Sequence, residues 1–262
     1  MVVLVKGYGN HTNRLIQNAH LEAFCEQQGI PFLNTTLQCM AHHYPLKYDY
    51  KKSLYFKALF KSGLTKKSIP YIEFNDINEI EKYEQILLNH HRDLLFVGGW
   101  YFRNYEAVKS HREILLQRYE SHKASPAYEK LCQQIKQYDV VLGVHIRRKD
   151  YKQWNNGKYY YSFETYEQLT GNFIQLFPNK SIFVVIFSDE KIIPGQLQIP
   201  TEHYISHFPY YIDHKLMGKC HYLIGPPSTF TLWPSFLYHV PYIHIYNPYQ
   251  AFTLSDFRYS HC

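Results

Sequence analysis

Short apolar runs alternate with segments of helical periodicity along most of the chain. Near the N-terminus, VVLV at 2–5 leads into a turn with two glycines, after which Leu15, Ala19 and Ala23 recur at the spacing of one helix face. Strand, glycine turn and helix form the opening of a βαβ unit. Residues 29–36 then predict a second strand, whereas 36–75 show no clear period.

The alternation continues to the end of the sequence. Further strands are predicted at 93–100, 140–145, 181–190, 221–226 and 241–246, and helices at 75–90, 104–120, 126–137, 163–176, 210–220 and from 228. Continuous apolar runs are typical of strands buried on both faces of a parallel sheet. We therefore predict an α/β chain of two Rossmann-like halves, 1–137 and 138–262, facing each other across a cleft.

Four predicted strands end in polar residues, and ligands bind at the carboxyl ends of strands in sheets of this kind. These ends are 7–10, 145–150, 188–189 and 226–231. Arg147 and Arg148 directly follow a buried strand, and a forked guanidinium matches phosphate oxygens bidentately. The alternative is an ion pair with Asp150 or another carboxylate.

The other strand ends offer further candidate contacts. Ser228 and Thr229 precede a predicted helix, so their hydroxyls and its first N–H groups can bind an anion, or simply cap the helix. Asp189 can hydrogen-bond a base or a ribose, or can form only an acidic turn. The GYGN turn does not predict NAD binding, because residue 12 is Thr and the acidic residue expected about 20 positions further on is missing.

Composition adds charge and aromatic character to this picture. The 262 residues include 26 tyrosines and carry a formal net charge of +6, which favours anionic partners and suits clefts for sugars or bases. No nucleic-acid-binding module accompanies the charge, so nucleic acid is not an expected partner. Five cysteines without a CxxC pair, and the absence of an HExxH motif, predict neither a metal site nor a disulfide framework.

The expected location is cytoplasmic. The cysteines fit reduced thiols, and the apolar run before Lys6 is too short for a signal peptide. No segment approaches the roughly 20 apolar residues of a membrane span. A basic, aromatic surface is compatible with peripheral association at the inner face of a membrane, where lipid-linked acceptors lie.

Five segments resemble, in order, motifs of the alpha-1,2-fucosyltransferase family within the wider fucosyltransferase superfamily. HIRRKDY at 145–151 is similar to the family's HxRRGDY, FSDE at 187–190 to FSDD, and GYGNHTNRLIQNA at 7–19 to GGLGNQLFQYA. The segments that begin GGWYFRNYEAV and YIDHKLMGKC resemble two further stretches of the family. Lys149 stands where the family usually has Gly.

The resemblance implies a GT-B fold and an inverting, metal-independent transfer of L-fucose from GDP-fucose. The implied acceptor is a glycan or lipid-linked oligosaccharide hydroxyl in bacterial surface polysaccharide synthesis, and no cofactor is implied. Without a metal, cationic side chains and helix N-termini must stabilise the charge that develops on the leaving diphosphate. The alternatives are another nucleoside-diphosphate sugar donor, GDP-linked or not, and a non-catalytic protein that binds a nucleotide or a glycan.

The resemblance also implies roles for individual residues of the second half. Arg147 would bind the β-phosphate with Arg148 in support, and His145 would orient the donor. Asp150 is the candidate base by proximity, unless the leaving phosphate accepts the proton.

The remaining implied contacts come from both halves. Ser228, Thr229 and the Phe230 amide would complete the phosphate cradle, and Asp189 would contact guanine or ribose. The N-terminal loop, with Gly9 and Arg14, would close the site through either Asn10 or Asn13, between which the sequence does not decide.

Overall fold

The computed structural model of the protein describes residues 1–63, 68–90, 93–249 and 251–262. They form two compact units, Met1–His122 with His261–Cys262, and Lys123–Ser260. The first unit therefore contains the last two residues, and Cys262 lies near the buried Arg103 of that unit.

The division between the units lies between His122 and Lys123, earlier in the chain than the predicted boundary between residues 137 and 138. The helix at Pro126–Ile135 explains the difference. Its residue Leu131 packs in one apolar cluster with Val141 and Phe183, which belong to strands of the second sheet. Because its apolar face is buried there, the helix belongs to the second unit.

The first unit is built on a parallel sheet of four strands. The strands are β1 (Val2–Lys6), β2 (Phe32–Asn34), β3 (Tyr71–Phe74) and β4 (Leu95–Gly99). The helices are α1 (His11–Gln27), α2 (Tyr50–Ser62), α3 (Ile80–Asn89), α4 (Tyr105–Ser110) and α5 (Arg112–Tyr119). Strand order is β2-β1-β4-β3, with every pairing parallel.

The predicted elements of this unit are mostly confirmed, with two differences. The single helix predicted at 104–120 is two helices, because the chain leaves helical geometry at His111, whose Nδ1 lies 2.9 Å from the carbonyl oxygen of Ala107. The segment without a clear period contains α2 and β3. β3 pairs closely with β4 because Gly99, at φ +90°, has no side chain; a Cβ there would lie 2.4 Å from the Phe74 carbonyl oxygen.

The second unit is built on a parallel sheet of five strands. The strands are β5 (Val140–Ile146), β6 (Ile182–Ser188), β7 (His203–Ile205), β8 (Tyr222–Gly225) and β9 (Tyr242–His244). The helices are α6 (Pro126–Ile135), α7 (Phe163–Gln175), α8 (Tyr210–Met217) and α9 (Thr229–Tyr238). Strand order is β7-β6-β5-β8-β9.

Helices cover both faces of the second sheet. Along β5, Leu142 and Val144 pack with Phe173 of α7, and Val141 packs on the opposite side with α6 and α8. All seven residues of β5 are buried, as expected for a central strand with no polar face. The predicted α/β class with parallel sheets is thus confirmed, and β7 is a strand that the sequence pattern did not predict.

No helix in the part of the chain that the structure describes is long and apolar enough to cross a membrane.

Candidate functional site

The candidate site lies where the strand order of the second sheet reverses. From β5 the chain moves outward through β6 and β7 on one side, and later forms β8 and β9 on the other. Ligands of open parallel sheets bind beside the carboxyl ends of the strands at such a switch point. Residues 147–150, after β5, and 226–228, after β8, occupy this position.

Arg147 directly follows β5, and two carboxylates contact its guanidinium. Its Nε and Nη2 donate to the two carboxylate oxygens of Asp150, both at 2.8 Å, and Nε lies 3.2 Å from Asp189 Oδ2. Burial lowers the pKa of Arg147, but the hydrogen bond and charge of Asp150 outweigh it and raise the pKa above its ordinary value. Arg147 is therefore a fully charged, partly exposed cation at the switch point.

Arg148 is anchored by the protein. Its Nε donates to Glu190 at 2.5 Å, its Nη1 to the Tyr161 carbonyl at 2.6 Å and its Nη2 to the Tyr160 hydroxyl at 2.7 Å. The guanidinium carbon also lies 4.4 Å from the centroid of the Phe163 ring. The adjacent arginines are thus not equivalent: Arg148 fixes the loop on which Arg147 is carried.

Asp189 orders the same loop from the end of β6. Its Oδ1 accepts from the backbone N–H of Arg148 at 2.9 Å, and its Oδ2 accepts from that of Lys149 at 3.3 Å. Both oxygens already have partners, so the structure gives Asp189 an anchoring position. Its contact with guanine or ribose stays a prediction.

Asp150 holds Arg147 from a short 3₁₀ turn and remains half-exposed, at 53% of its side chain. Burial raises the pKa of this carboxyl, but hydrogen bonding and the charge of Arg147 overcome that effect and lower it. A carboxylate with a lowered pKa is a weaker base. The predicted role of Asp150 as the base therefore depends on separating it from Arg147.

His145 lies one position from the end of β5 and is 3% exposed. Its Nδ1 hydrogen-bonds with the hydroxyl of Thr231 at 3.1 Å, and its ring centroid lies 4.9 Å from that of Phe230. Burial, and then the charge of Arg147, hold its pKa well below the ordinary value, so the ring is neutral. His145 thereby connects β5 to the first turn of α9.

The first turn of α9 starts at the carboxyl end of β8, as the sequence predicted. The Ser228 hydroxyl accepts from the Phe230 N–H at 3.2 Å, which makes Ser228 a helix cap, and Thr229 is the first helical residue. Tyr151 joins this loop to that of β5, because its hydroxyl donates to the carbonyl of Pro227. One edge of the sheet thus collects all eight predicted residues of the second unit: His145, Arg147, Arg148, Asp150, Asp189, Ser228, Thr229 and Phe230.

Solved structures share this architecture. A mutant of Arabidopsis thaliana FUT1 in complex with GDP is 9% identical, with a TM-score of 0.56 over 98% of this chain and 73% of that one. NodZ alpha-1,6-fucosyltransferase soaked with GDP-fucose is 12% identical, with a TM-score of 0.56 over 99% of both chains. Fucosyltransferase NodZ from Bradyrhizobium is 13% identical, with a TM-score of 0.58 over 95% of this chain and 96% of that one.

The chain has a GT-B fold like that of these solved structures. No protein-family model matches the sequence, and no curated protein matches it.

The predicted residues of the first unit lie around the end of β1 in this fold. Gly9 adopts φ +57° and lies against the side chain of Asn13, and the Arg14 Nε donates to the Gly9 carbonyl at 3.3 Å. Asn10 precedes α1 without a side-chain capping bond. The choice between Asn10 and Asn13 stays open.

Asp213 is a buried acid that sequence reasoning did not assign to the site. It belongs to α8, is 8% exposed and accepts from the Ser206 hydroxyl at 2.5 Å, just beyond the end of β7. Burial raises its pKa to about 7, although the hydrogen bond from Ser206 opposes that effect. The only sequence signal was its place in the YIDHKLM segment.

Aromatic side chains lie beside Arg147. Its guanidinium carbon is 5.7 Å from the centroid of the Tyr151 ring, which stacks on Trp154 at 4.8 Å between centroids. Trp154 is 48% exposed, and its ring centroid also lies 5.7 Å from that of Tyr159, so the three rings form a partly exposed aromatic surface. The tyrosine-rich composition hinted at such a surface but did not place it.

The described residues include no cluster suited to a metal ion. Within 1–63, 68–90, 93–249 and 251–262, no group of three or more His, Cys, Asp or Glu side chains has the geometry to hold a metal ion.

Proposed function

We propose that the chain is an inverting glycosyltransferase that transfers L-fucose from GDP-fucose to a glycan hydroxyl without a metal ion. The observation that carries the proposal is Arg147, a charged guanidinium at the switch point of a sheet in a fold shared with fucosyltransferases. Two of the similar structures contain GDP or GDP-fucose by their descriptions. We place the reaction in the cytoplasm, with a bacterial surface polysaccharide as the product.

Arg147 would stabilise the leaving diphosphate. Breaking the bond between the sugar C1 and the β-phosphate oxygen leaves an added negative charge on that oxygen, and a guanidinium placed there lowers the barrier. The diphosphate would replace Asp150, the more exposed of the two carboxylates on Arg147, while Asp189 keeps the loop in place.

The same exchange would create the base. Once Arg147 moves onto phosphate, Asp150 loses the contact that lowers its pKa, and its proton affinity rises. The acceptor hydroxyl then attacks C1 from the face opposite the phosphate and passes its proton to Asp150. One displacement inverts C1, and neutral His145 adds no charge of its own while it positions the donor.

Calorimetric titration of GDP, with ADP and UDP for comparison and a chelator present, tests the binding step. Arg147→Ala should lose about 1.5–3 kcal/mol, or roughly 10- to 100-fold in affinity, as for a lost charge-assisted hydrogen bond. Lys219→Ala, which removes an exposed cation of the same unit just before β8, at the opposite end of the sheet, is the control and should bind GDP like the wild type.

Equal GDP binding by Arg147→Ala and wild type would refute the assignment of the phosphate contact. Selective GDP binding without any hydrolysis or transfer from GDP-fucose would instead support a non-catalytic nucleotide-binding protein.

A further inference from the structure

The first unit has a cavity of its own at the carboxyl ends of β1 and β2. Its volume is about 470 Å³, within the range of pockets that hold small molecules. The polar side chains that line it are Lys6, Arg14, Thr36, Gln38, Cys39 and Lys57. We call this cavity the first-unit pocket. Three of these side chains are cations, and none is a carboxylate.

Only one of the three cations has an acidic partner among the described residues. Lys6 of β1 forms an ion pair with Glu73 of β3, across the intervening strand β4. This contact passes over Gly98, where a Cβ would lie 2.9 Å from the Lys6 Cβ. The charge of Lys6 is therefore balanced within the protein.

Arg14 is held in place without a counter-charge. Its Nε donates to the Gly9 carbonyl at 3.3 Å and its Nη1 to the Thr36 carbonyl at 3.4 Å, and Nη1 also lies 3.9 Å from Cys39 Sγ. All three partners are neutral. Its charge also helps to lower the pKa of His11, after the larger effect of burial. Arg14 thus presents a fixed and unbalanced positive charge to the pocket.

Lys57 adds a second unbalanced charge from α2. No carboxylate in the described part of the chain forms an ion pair with it. Thr36 is fixed by its hydroxyl, which donates to Asn34 Oδ1 at 2.7 Å. Two unpaired cations and two neutral hydrogen-bonding side chains, Thr36 and Gln38, match an anion attached to a polar molecule.

We propose that the first-unit pocket binds an anionic saccharide, one that carries a phosphate or a carboxylate. The saccharide's identity as the acceptor rests on the proposed function, whereas its binding as an anion does not. Arg14, which the family resemblance assigned to the nucleotide site, would then serve this pocket instead, and neutral sugars would bind poorly.

Cys39 provides a direct probe, because its exposed thiol lies in the pocket beside Arg14. Iodoacetate and iodoacetamide alkylate the same thiolate and release iodide, but only iodoacetate carries a negative charge. The rate with iodoacetate is divided by the rate with iodoacetamide. Both rates depend equally on the thiolate fraction of Cys39, so this ratio reports only how strongly the pocket attracts the charged reagent. Quantitative mass spectrometry of the Cys39 peptide measures it, with 2-mercaptoethanol, a thiol that carries no other charge, as the reference.

In the wild type at low ionic strength, the ratio should exceed that of 2-mercaptoethanol by about tenfold and fall as salt is added. Lys57→Gln should remove much of this excess. Lys51→Gln, an exposed lysine of the same helix that does not line the pocket, is the matched control and should leave the ratio unchanged. A ratio equal to that of 2-mercaptoethanol, or equal effects of the two substitutions, would overturn the proposal.

Protection of Cys39 then identifies the ligand class. Glucose 1-phosphate or glucuronate at millimolar concentration should slow alkylation by neutral iodoacetamide, and glucose should not; the more protective anion shows whether phosphate or carboxylate is preferred. No protection by either anion, or equal protection by glucose, would overturn the proposal. Protection by GDP alone would also overturn it, by assigning the pocket to the nucleotide. None of these outcomes depends on sugar transfer. The proposal for the pocket can therefore be refuted while GDP binding is confirmed, and GDP binding can be refuted while the proposal for the pocket is confirmed.

Discussion

The buried carboxyl of Asp213 makes the stability of the second unit depend on pH in a defined direction. Its pKa is about 7 in the folded protein, against the ordinary 3.8. Between these values the folded chain holds a proton that the unfolded chain has lost. The native state binds more protons there, so the free energy of unfolding falls as pH rises from about 4 to about 7 and is level above that.

Asp213→Asn removes this dependence, since an amide does not ionise in this range. The value pH 5 lies about two pH units below the pKa of Asp213. Each of these units corresponds to about 1.4 kcal/mol of the free energy of unfolding. The wild type should therefore lose about 3 kcal/mol between pH 5 and pH 8 that the variant does not lose. The Ser206 hydroxyl can still donate to the amide oxygen, so the local contact is retained.

Equilibrium urea unfolding at both pH values, followed by circular dichroism, gives the two free energies by linear extrapolation. At each pH, the free energy of unfolding of the wild type is subtracted from that of the variant. The result at pH 5 is then compared with the result at pH 8, because the contributions of other titrating groups cancel in this comparison. Glu81→Gln, at an exposed site, is the control and should show no such change. An unchanged difference for Asp213→Asn would refute the reasoning and mean that Asp213 ionises like an exposed acid.

Two further substitutions test local packing. Gly99→Ala should lower the free energy of unfolding, measured by thermal or urea denaturation, by at least about 2 kcal/mol. The reason is that φ is +90° and the new Cβ would lie 2.4 Å from the Phe74 backbone. A neutral effect would show that β3 and β4 can separate at little cost in free energy. Thr231→Val should cost about 1–2 kcal/mol and weaken GDP binding, because His145 loses its hydrogen bond. Thr170→Val removes an equally buried hydroxyl from α7 and should lower stability alone, so GDP affinities that fall equally in both variants would contradict a positioning role for His145.

The local pattern of apolar and polar residues predicted most of the strands and helices. The elements that it did not predict depend on contacts between residues far apart in the sequence. β5 was predictable because an uninterrupted apolar run describes a central parallel strand. α2 was not, because Leu54 and Tyr55 are exposed on it, so apolar residues lie on its solvent side as well as on the side where Phe56 is buried. β7 has only three residues, and none of them is fully buried.

The site shows the same limit. Sequence order placed Arg147 and Arg148 together, but it did not distinguish them. Their difference comes from Tyr160, Glu190 and Asp150, and which of these each guanidinium contacts is decided by the folded loops. The burial of Asp213 likewise depends on α8 packing beside the end of β7, which local sequence does not encode.

The membership of His261–Cys262 in the first unit has a consequence for biosynthesis. The ribosome makes these residues after all of the second unit, so the first unit lacks part of itself while 123–260 is being translated. The contact between Cys262 and the buried Arg103 can form only after Cys262 has been added. The first unit is therefore completed late in translation, and a fragment that ends at residue 122 would omit part of the unit it was meant to isolate.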